Sequence, residues 1–347
     1  MNDLPLARIG LGLHHPKRMY HLMVMLYIMI SFCTLYGCHS ESPKGSKLKK
    51  CAIRLKWLFN ASTLGELWAK ERDIYKKYGL DVELKEGGAE ANALTELELG
   101  RIEFGVASGD QVLRALAKGA SPVLLLQIFQ KNPLEWMYIQ ERTNIKSPLD
   151  LKGKTVGITF GGNDETIFRA LMAKYGLTEK DVHLYAVHYD YGPFWKGEVE
   201  LWPVYRNTQG VFLTHKIHMK EEHPGFFDPH LYGVSFVANC LVTSRSVVNM
   251  DPDMVKRMVQ AEREAWREAL RPENEDDAVT ILKKYDPNTP TEILREQIRK
   301  TRQIVLLPQG DVGKIDKEAW LNTFQVMNRQ DLLDGGHLDI HSLLAGM

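Results

Sequence analysis

Four stretches of this 347-residue chain carry side chains suited to holding a small molecule. Trp57 and Asn60 close an apolar run: an indole offers a flat face for stacking on a heteroaromatic ring, and a carboxamide offers a paired donor and acceptor to the ring's edge. The run Gly161-Gly162-Asn163-Asp164-Glu165 is the sharpest local signal in the second half. Its glycines let backbone approach a ligand, Asn163 or Asp164 can cap a helix, and Glu165 can accept from a ring NH or an amine. Ser108-Gly109-Asp110 precedes a helical pattern, so Ser108 and the neighbouring NH groups can face a cleft, whereas capping is the favoured role of Asp110. Tyr189, Tyr191, Trp195, Trp202 and Tyr205 crowd strand ends, with Asn207 close behind, and about half of these aromatics are expected to serve packing alone. Every one of these residues also has a plainer explanation, as core, turn or cap.

Covalent or metal chemistry finds less support. No Gly-x-Ser-x-Gly, Walker loop or metal-spaced histidine pair is present, and the histidines at 215, 218 and 223 lie in a polar segment expected to be solvated. Lys plus Arg equals Asp plus Glu at 44 each, which argues against nucleic acid and for a neutral or mildly charged ligand. Asp164 and Glu165, with no adjacent arginine, make an oxyanion less attractive.

Short apolar runs alternate with helical patterns from Cys51 onward, the mark of a parallel sheet built from βαβ units. Strands are expected at 52–58, 81–85, 103–107 and 122–130, with helices at 64–78, 91–99 and 111–118. An extended segment at 136–140 leads to a second series, with strands at 155–159, 182–187 and 198–203 and helices at 165–175, near Phe194, and at 205–213. Three amphipathic helices follow at 252–270, 275–284 and 291–307. The expected fold class is α/β, with two lobes crossed twice by the chain: 51–135 plus 243–347, and 136–242. Ligands of open α/β sheets lie beyond the carboxyl ends of the strands, where all four stretches fall.

At the N-terminus Lys17 and Arg18 precede an uncharged stretch from Met19 to Tyr36, the layout of a secretory signal. Leu35-Tyr36-Gly37-Cys38 resembles a bacterial lipobox, making 1–37 a lipoprotein signal peptide, Cys38 the lipidation site and membrane anchor, and polar 38–50 a linker. An uncleaved membrane anchor is the competing reading, since the stretch is close to the ~20 residues that span a bilayer. Cys51 and Cys240 would remain as thiols, too far apart in sequence and too irregular for a disulfide framework or metal site.

Several segments, in order, carry a specific resemblance. They are Lys56-Trp57-Leu58-Phe59-Asn60 with Gly65 and Ala69, Tyr78-Gly79-Leu80-Asp81-Val82, Gly87-Gly88, Gly100 to Val106, and Gln127-Ile128-Phe129-Gln130. Ser147 to Gly153 with Val156-Gly157, Phe160 to Glu165, and Lys196-Gly197-Glu198-Val199-Glu200 before Tyr205 and Asn207 complete the series. The chain thereby resembles periplasmic solute-binding proteins for thiamine-pyrimidine precursors and riboflavin, relatives of the thiamine-pyrimidine synthases and more distantly of sulfonate, nitrate and taurine binders. The resemblance implies a type II periplasmic-binding-protein fold with ligand in the interlobe cleft, and it favours Tyr205 and Asn207, which follow the family's Gly-Glu-Val-Glu strand. It also implies an ABC permease and ATPase as partners, a monomer, no cofactor and no catalysis. The homologous synthase uses a lysine-bound pyridoxal phosphate, a histidine of its own chain and a cysteine-rich iron motif. Here the corresponding positions hold Ala107 and Gln111, and only Cys240 lies near the third, so a Schiff base has no amine to form on at Ala107.

Overall fold

A computed structural model describes residues 47–333 apart from 89–90, 189 and 309–310, together with Leu338, Ile340 and Leu343. The expected signal segment, Cys38 and Tyr189 lie outside the described residues. Among those described, no helix is long and apolar enough to cross a membrane.

The first sheet has strand order β2-β1-β3-β10-β4, built from β1 (Lys49–Arg54), β2 (Leu80–Lys85), β3 (Phe104–Ala107), β4 (Pro122–Gln127) and β10 (Cys240–Ser244). β1 pairs in parallel with β2 and β3, and β10 inserts antiparallel between β3 and β4. Helices α1 (Leu64–Glu71), α2 (Ile74–Lys77), α3 (Ala93–Glu98) and α4 (Gly109–Ala117) fall between these strands. After β4 the chain builds a three-stranded sheet, β8-β5-β9, from β5 (Leu134–Ile139), β8 (Trp202–Tyr205) and β9 (Pro224–Phe227). Beside it β6 (Thr155–Ile158) and β7 (His183–Ala186) pair in parallel. Trp136 Nε1 donates to Gly157 O at 3.0 Å and Gly157 N to Leu201 O at 2.8 Å, which ties these two sheets together. Helices α5 (Asn163–Lys174), α6 (Gly192–Lys196) and α7 (Gln209–His218) belong to this part, and β10 returns the chain to the first sheet.

The remaining helices are α8 (Arg245–Met250), α9 (Pro252–Ala269), α10 (Glu275–Tyr285), α11 (Thr291–Val305) and α12 (Lys317–Arg329). Met254, Met258, Ala261, Ala265 and Ala269 recur at three- and four-residue spacing, giving α9 one buried face, which packs on α1. Contact is close because Gly65 has no side chain: a Cβ there would lie 2.2 Å from the Trp266 ring.

Departures from the expected elements have local causes. Lys49 and Lys50, expected in the linker, already belong to β1. β1 ends at Arg54 instead of running to Leu58, because Trp57 turns its carbonyl to Gly87 N at 3.0 Å. The helix expected at 64–78 breaks where Asp73 adopts φ 54°, a left-handed backbone that no α-helix continues through. β8 starts later than expected, at Trp202, because Glu200 is held off the strand: its carboxylate accepts from Thr155 N at 3.0 Å and Lys154 Nζ at 2.9 Å. β9 has no counterpart among the expected strands; as an edge strand it tolerates Pro224, and Gly225 lies under the Tyr138 ring, 2.1 Å from where a Cβ would sit.

Candidate functional site

A cavity of about 530 Å³ opens where loops from both groups of sheets meet, a size suited to a small organic ligand. One side is the segment after β1, Leu55 to Asn60, joined by Glu86 and Gly88 of the segment after β2. The two segments touch because residue 87 is glycine: a Cβ there would fall 2.0 Å from Leu55 O. Asn60 accepts from Ser62 N at 2.7 Å through its side chain and opens the short 3-10 turn Ala61–Thr63, so it is a cap and a cavity residue at once.

The opposite side is the N-terminus of α5 and the end of β8. Gly161 takes φ +77°, and at Gly162 a Cβ would lie 2.5 Å from Asp164 Oδ1, so these two glycines fit a turn that side chains would obstruct. Asp164 Oδ2 accepts from Thr159 N at 2.6 Å. Burial pushes the Asp164 carboxyl up to about 6, against the pull of that NH group and of the Lys56 charge. Tyr205, at the end of β8, lies with its ring centroid 6.4 Å from that of Phe129. Trp202 and Tyr191 pack at 5.7 Å, and burial raises the Tyr191 phenol to about 12.

Of the residues singled out from the sequence, Trp57, Asn60, Gly161, Gly162, Asn163 and Tyr205 line this cavity. Tyr191 and Trp202 join them, while Trp195 packs on Phe194 and under the Lys220 ammonium. Four candidates lie elsewhere. Ser108 is fully buried and donates through N and Oγ to Gln111 Oε1, leaving Gln111 to line the cavity. Asp110, also buried, sits in the first turn of α4. Glu165 turns back on its own turn, accepting from Gly161 N at 2.8 Å and from Arg169 Nε at 2.8 Å. Asn207 is buried between elements and donates to Ser62 Oγ and Thr301 Oγ1, both at 3.0 Å. Its amide therefore binds α11 to the turn after β1 instead of meeting the cavity.

Lys56 lines the cavity as well, although its sequence position alone does not mark it as a ligand contact. Its Nζ donates to Asn163 Oδ1 at 2.8 Å and to Tyr205 Oη at 2.6 Å, spanning the cavity from one side to the other. Position next to Trp57 was the available signal, but a lysine after a strand ordinarily reads as solvated surface. His215, His218 and His223 are exposed, and His223 Nδ1 lies 2.6 Å from Glu141 Oε1. Cys51 and Cys240 are buried free thiols, with burial and nearby carboxylates raising Cys51 to about 12.

The NMT1/THI5-like family profile matches residues 60–275, well over half of the chain. The chain belongs to the NMT1/THI5-like family. Among curated relatives of this family member, a Haemophilus influenzae protein named for thiamine biosynthesis is 26% identical over 60% of the chain and 66% of the relative. A formylaminopyrimidine-binding protein of Halalkalibacterium halodurans is 22% identical over 89% of the chain and 94% of the relative. The solved periplasmic aliphatic sulphonate binding protein of Escherichia coli superposes with a TM-score of 0.64 at 16% identity, over 85% of this chain and 96% of that one. The NMT1/THI5-like chain therefore has the periplasmic-binding-protein fold, as the family resemblance implied.

Proposed function

We propose that this protein is the extracytoplasmic substrate-binding component of an ABC importer, which holds a small heteroaromatic compound in the cavity and catalyses nothing. In this reading residues 51–135 with 243–347 and residues 136–242 are the two lobes, and Trp57, Asn60, Gly161, Gly162, Asn163 and Tyr205 meet the ligand. The observation that carries it is the composition of the cavity wall. Trp57, Tyr191, Trp202, Tyr205 and Phe212 supply flat apolar faces, no arginine is among the lining residues, and Lys56 stands against three carboxylates, Glu86, Asp164 and Asp286. Such a wall favours a neutral ring over a sulfonate or nitrate, which would meet more like charge than opposite charge. The formylaminopyrimidine named for the Halalkalibacterium relative is a compound of this kind. Ala107 lines the same cavity and offers no amine, which supports binding over synthase chemistry at that position. A lipid on Cys38 would hold the protein at the membrane; Cys38→Ala is then expected to release it from the membrane fraction.

A thermal-shift screen of pyrimidines, flavins, sulfonates and nitrate tests the assignment. A true ligand at 100 times its Kd adds about 2.7 kcal/mol of stability. Stabilisation by sulfonates or nitrate, with none by any ring compound, overturns the heteroaromatic reading.

A further inference from the structure

Lys56 presents an ammonium to the cavity under unusual conditions. The two oxygens it reaches, Asn163 Oδ1 at 2.8 Å and Tyr205 Oη at 2.6 Å, are both neutral, and its Nζ lies 4.8 Å from the Tyr205 ring centroid. It takes part in none of the ion pairs among the described residues. The carboxylates of the cavity wall are occupied by backbone instead: Asp164 accepts from Thr159 N, Glu86 from Phe59 N at 2.9 Å and Asp286 from Thr289 N at 3.2 Å. A partly buried cation held only by neutral acceptors keeps much of its desolvation cost. An ammonium has three N–H groups and two are engaged, so one remains for a further acceptor.

We propose that Lys56 selects the ligand, requiring a carbonyl acceptor on the edge turned toward Lys56, Asn163 and Tyr205. This rests on the reading that the cavity holds a heteroaromatic ring, and it narrows the chemistry of that ring. A ring whose edge carries only N–H donors would set donor against donor at Lys56, whereas an oxo or formyl group completes the ammonium's set with a charge-assisted hydrogen bond. The specificity would be reciprocal: because a site built around a polar group rejects an analogue that leaves that group unpaired, loss of the acceptor costs more than loss of an equal apolar area.

The test is a matched pair of probes, an aminopyrimidine and its N-formyl derivative, which differ by one acceptor group. Affinities are measured by calorimetry on the purified full-length protein and on Lys56→Met, which keeps an apolar stem without the charge. Wild type is expected to bind the formyl compound about tenfold to a hundredfold more tightly, the range of a hydrogen bond to a charged group. Lys56→Met is expected to erase that preference by weakening the formyl compound alone. If wild type binds both probes equally, or if Lys56→Met still discriminates, the selectivity proposal falls while the ring-binding reading stands. If neither probe, nor uracil, nor riboflavin binds wild type, both fall. Equal binding of the two probes by wild type overturns the proposal even if Lys56→Met does not fold.

Discussion

Two regions of the molecule bury carboxyl groups and surround them differently. At the cavity wall, burial raises Asp164 only to about 6, because the Thr159 NH group and the Lys56 ammonium both favour the anion. It is therefore mostly ionised at neutral pH. Between α1 and α9, Glu66 and Glu262 are completely buried, and Tyr75 Oη donates to Glu262 Oε1 at 2.5 Å. Burial pushes both carboxyls up, and the charge of Glu262 pushes Glu66 further, with no cation offsetting either. The pair is thus held further above the usual carboxylate range than the cavity acid is. A backbone NH group and a cation hold the cavity acid down, whereas the pair in the helical layer has neutral donors alone to offset its burial.

The largest effects fall on the helical side of this comparison. Trp266→Ala would empty the space beneath Gly65 in a fully buried site, and should cost about 3–5 kcal/mol in urea unfolding. Binding by folded protein should persist, since Trp266 does not line the cavity. The charge contrast is sharpened by Glu262→Gln. A carboxyl whose folded pKa is raised binds more protons folded than unfolded, so its stabilising effect is complete below the usual carboxylate range and is lost as pH rises through the folded value. Wild type should therefore lose up to about 1.4 kcal/mol per pH unit for each proton so held, and Glu262→Gln should flatten that slope. Equal slopes for the two proteins between pH 5 and 9 would show that the pair titrates normally.

The same contrast explains which parts of the molecule were legible in the sequence. The alternation of strand and helix from Cys51 to Ala186, and the amphipathic helices from Pro252 to Val305, follow from hydrophobic period and from glycine stops such as Gly79, Gly100 and Gly119, all with positive φ. Interruptions were less legible, because Asp73 and Pro224 take their conformations from tertiary surroundings. At the site, residues read for their shape, Trp57, Tyr205 and the Gly161-Gly162 turn, line the cavity. Residues read for hydrogen bonding divide: Asn60 and Asn163 line the cavity too, while Ser108, Glu165 and Asn207 satisfy partners inside the protein, and one-dimensional spacing does not show which acceptor a polar side chain will find first. Lys56 was missed for the converse reason, as its long stem carries the charge away from the surface position that its backbone suggests.

Smaller effects are expected at the cavity. Trp57→Ala removes a stacking face from a half-exposed loop and should weaken a ring ligand by about 0.5–1.5 kcal/mol, roughly twofold to tenfold in Kd, with little change in Tm. A loss of stability comparable to that of Trp266→Ala would place Trp57 with the packing residues instead.

Glu165→Ala should have the smallest effect, and it separates proximity from contact. Glu165 lies three residues from the cavity-lining Gly162, and its carboxylate spends its acceptors on Gly161 N and Arg169. The Arg169 bond is an i,i+4 pair with about a third of the arginine side chain exposed, a class worth only about 0.3–0.5 kcal/mol. Gly161 keeps its left-handed conformation without help from an acid, since glycine adopts it freely. Ring affinity measured by calorimetry should thus stay within about twofold of wild type, inside the ~0.4 kcal/mol that a factor of two represents. A tenfold loss would mean that Glu165 leaves Arg169 and turns into the cavity when a ligand binds, giving the site the negative charge that the sequence first suggested.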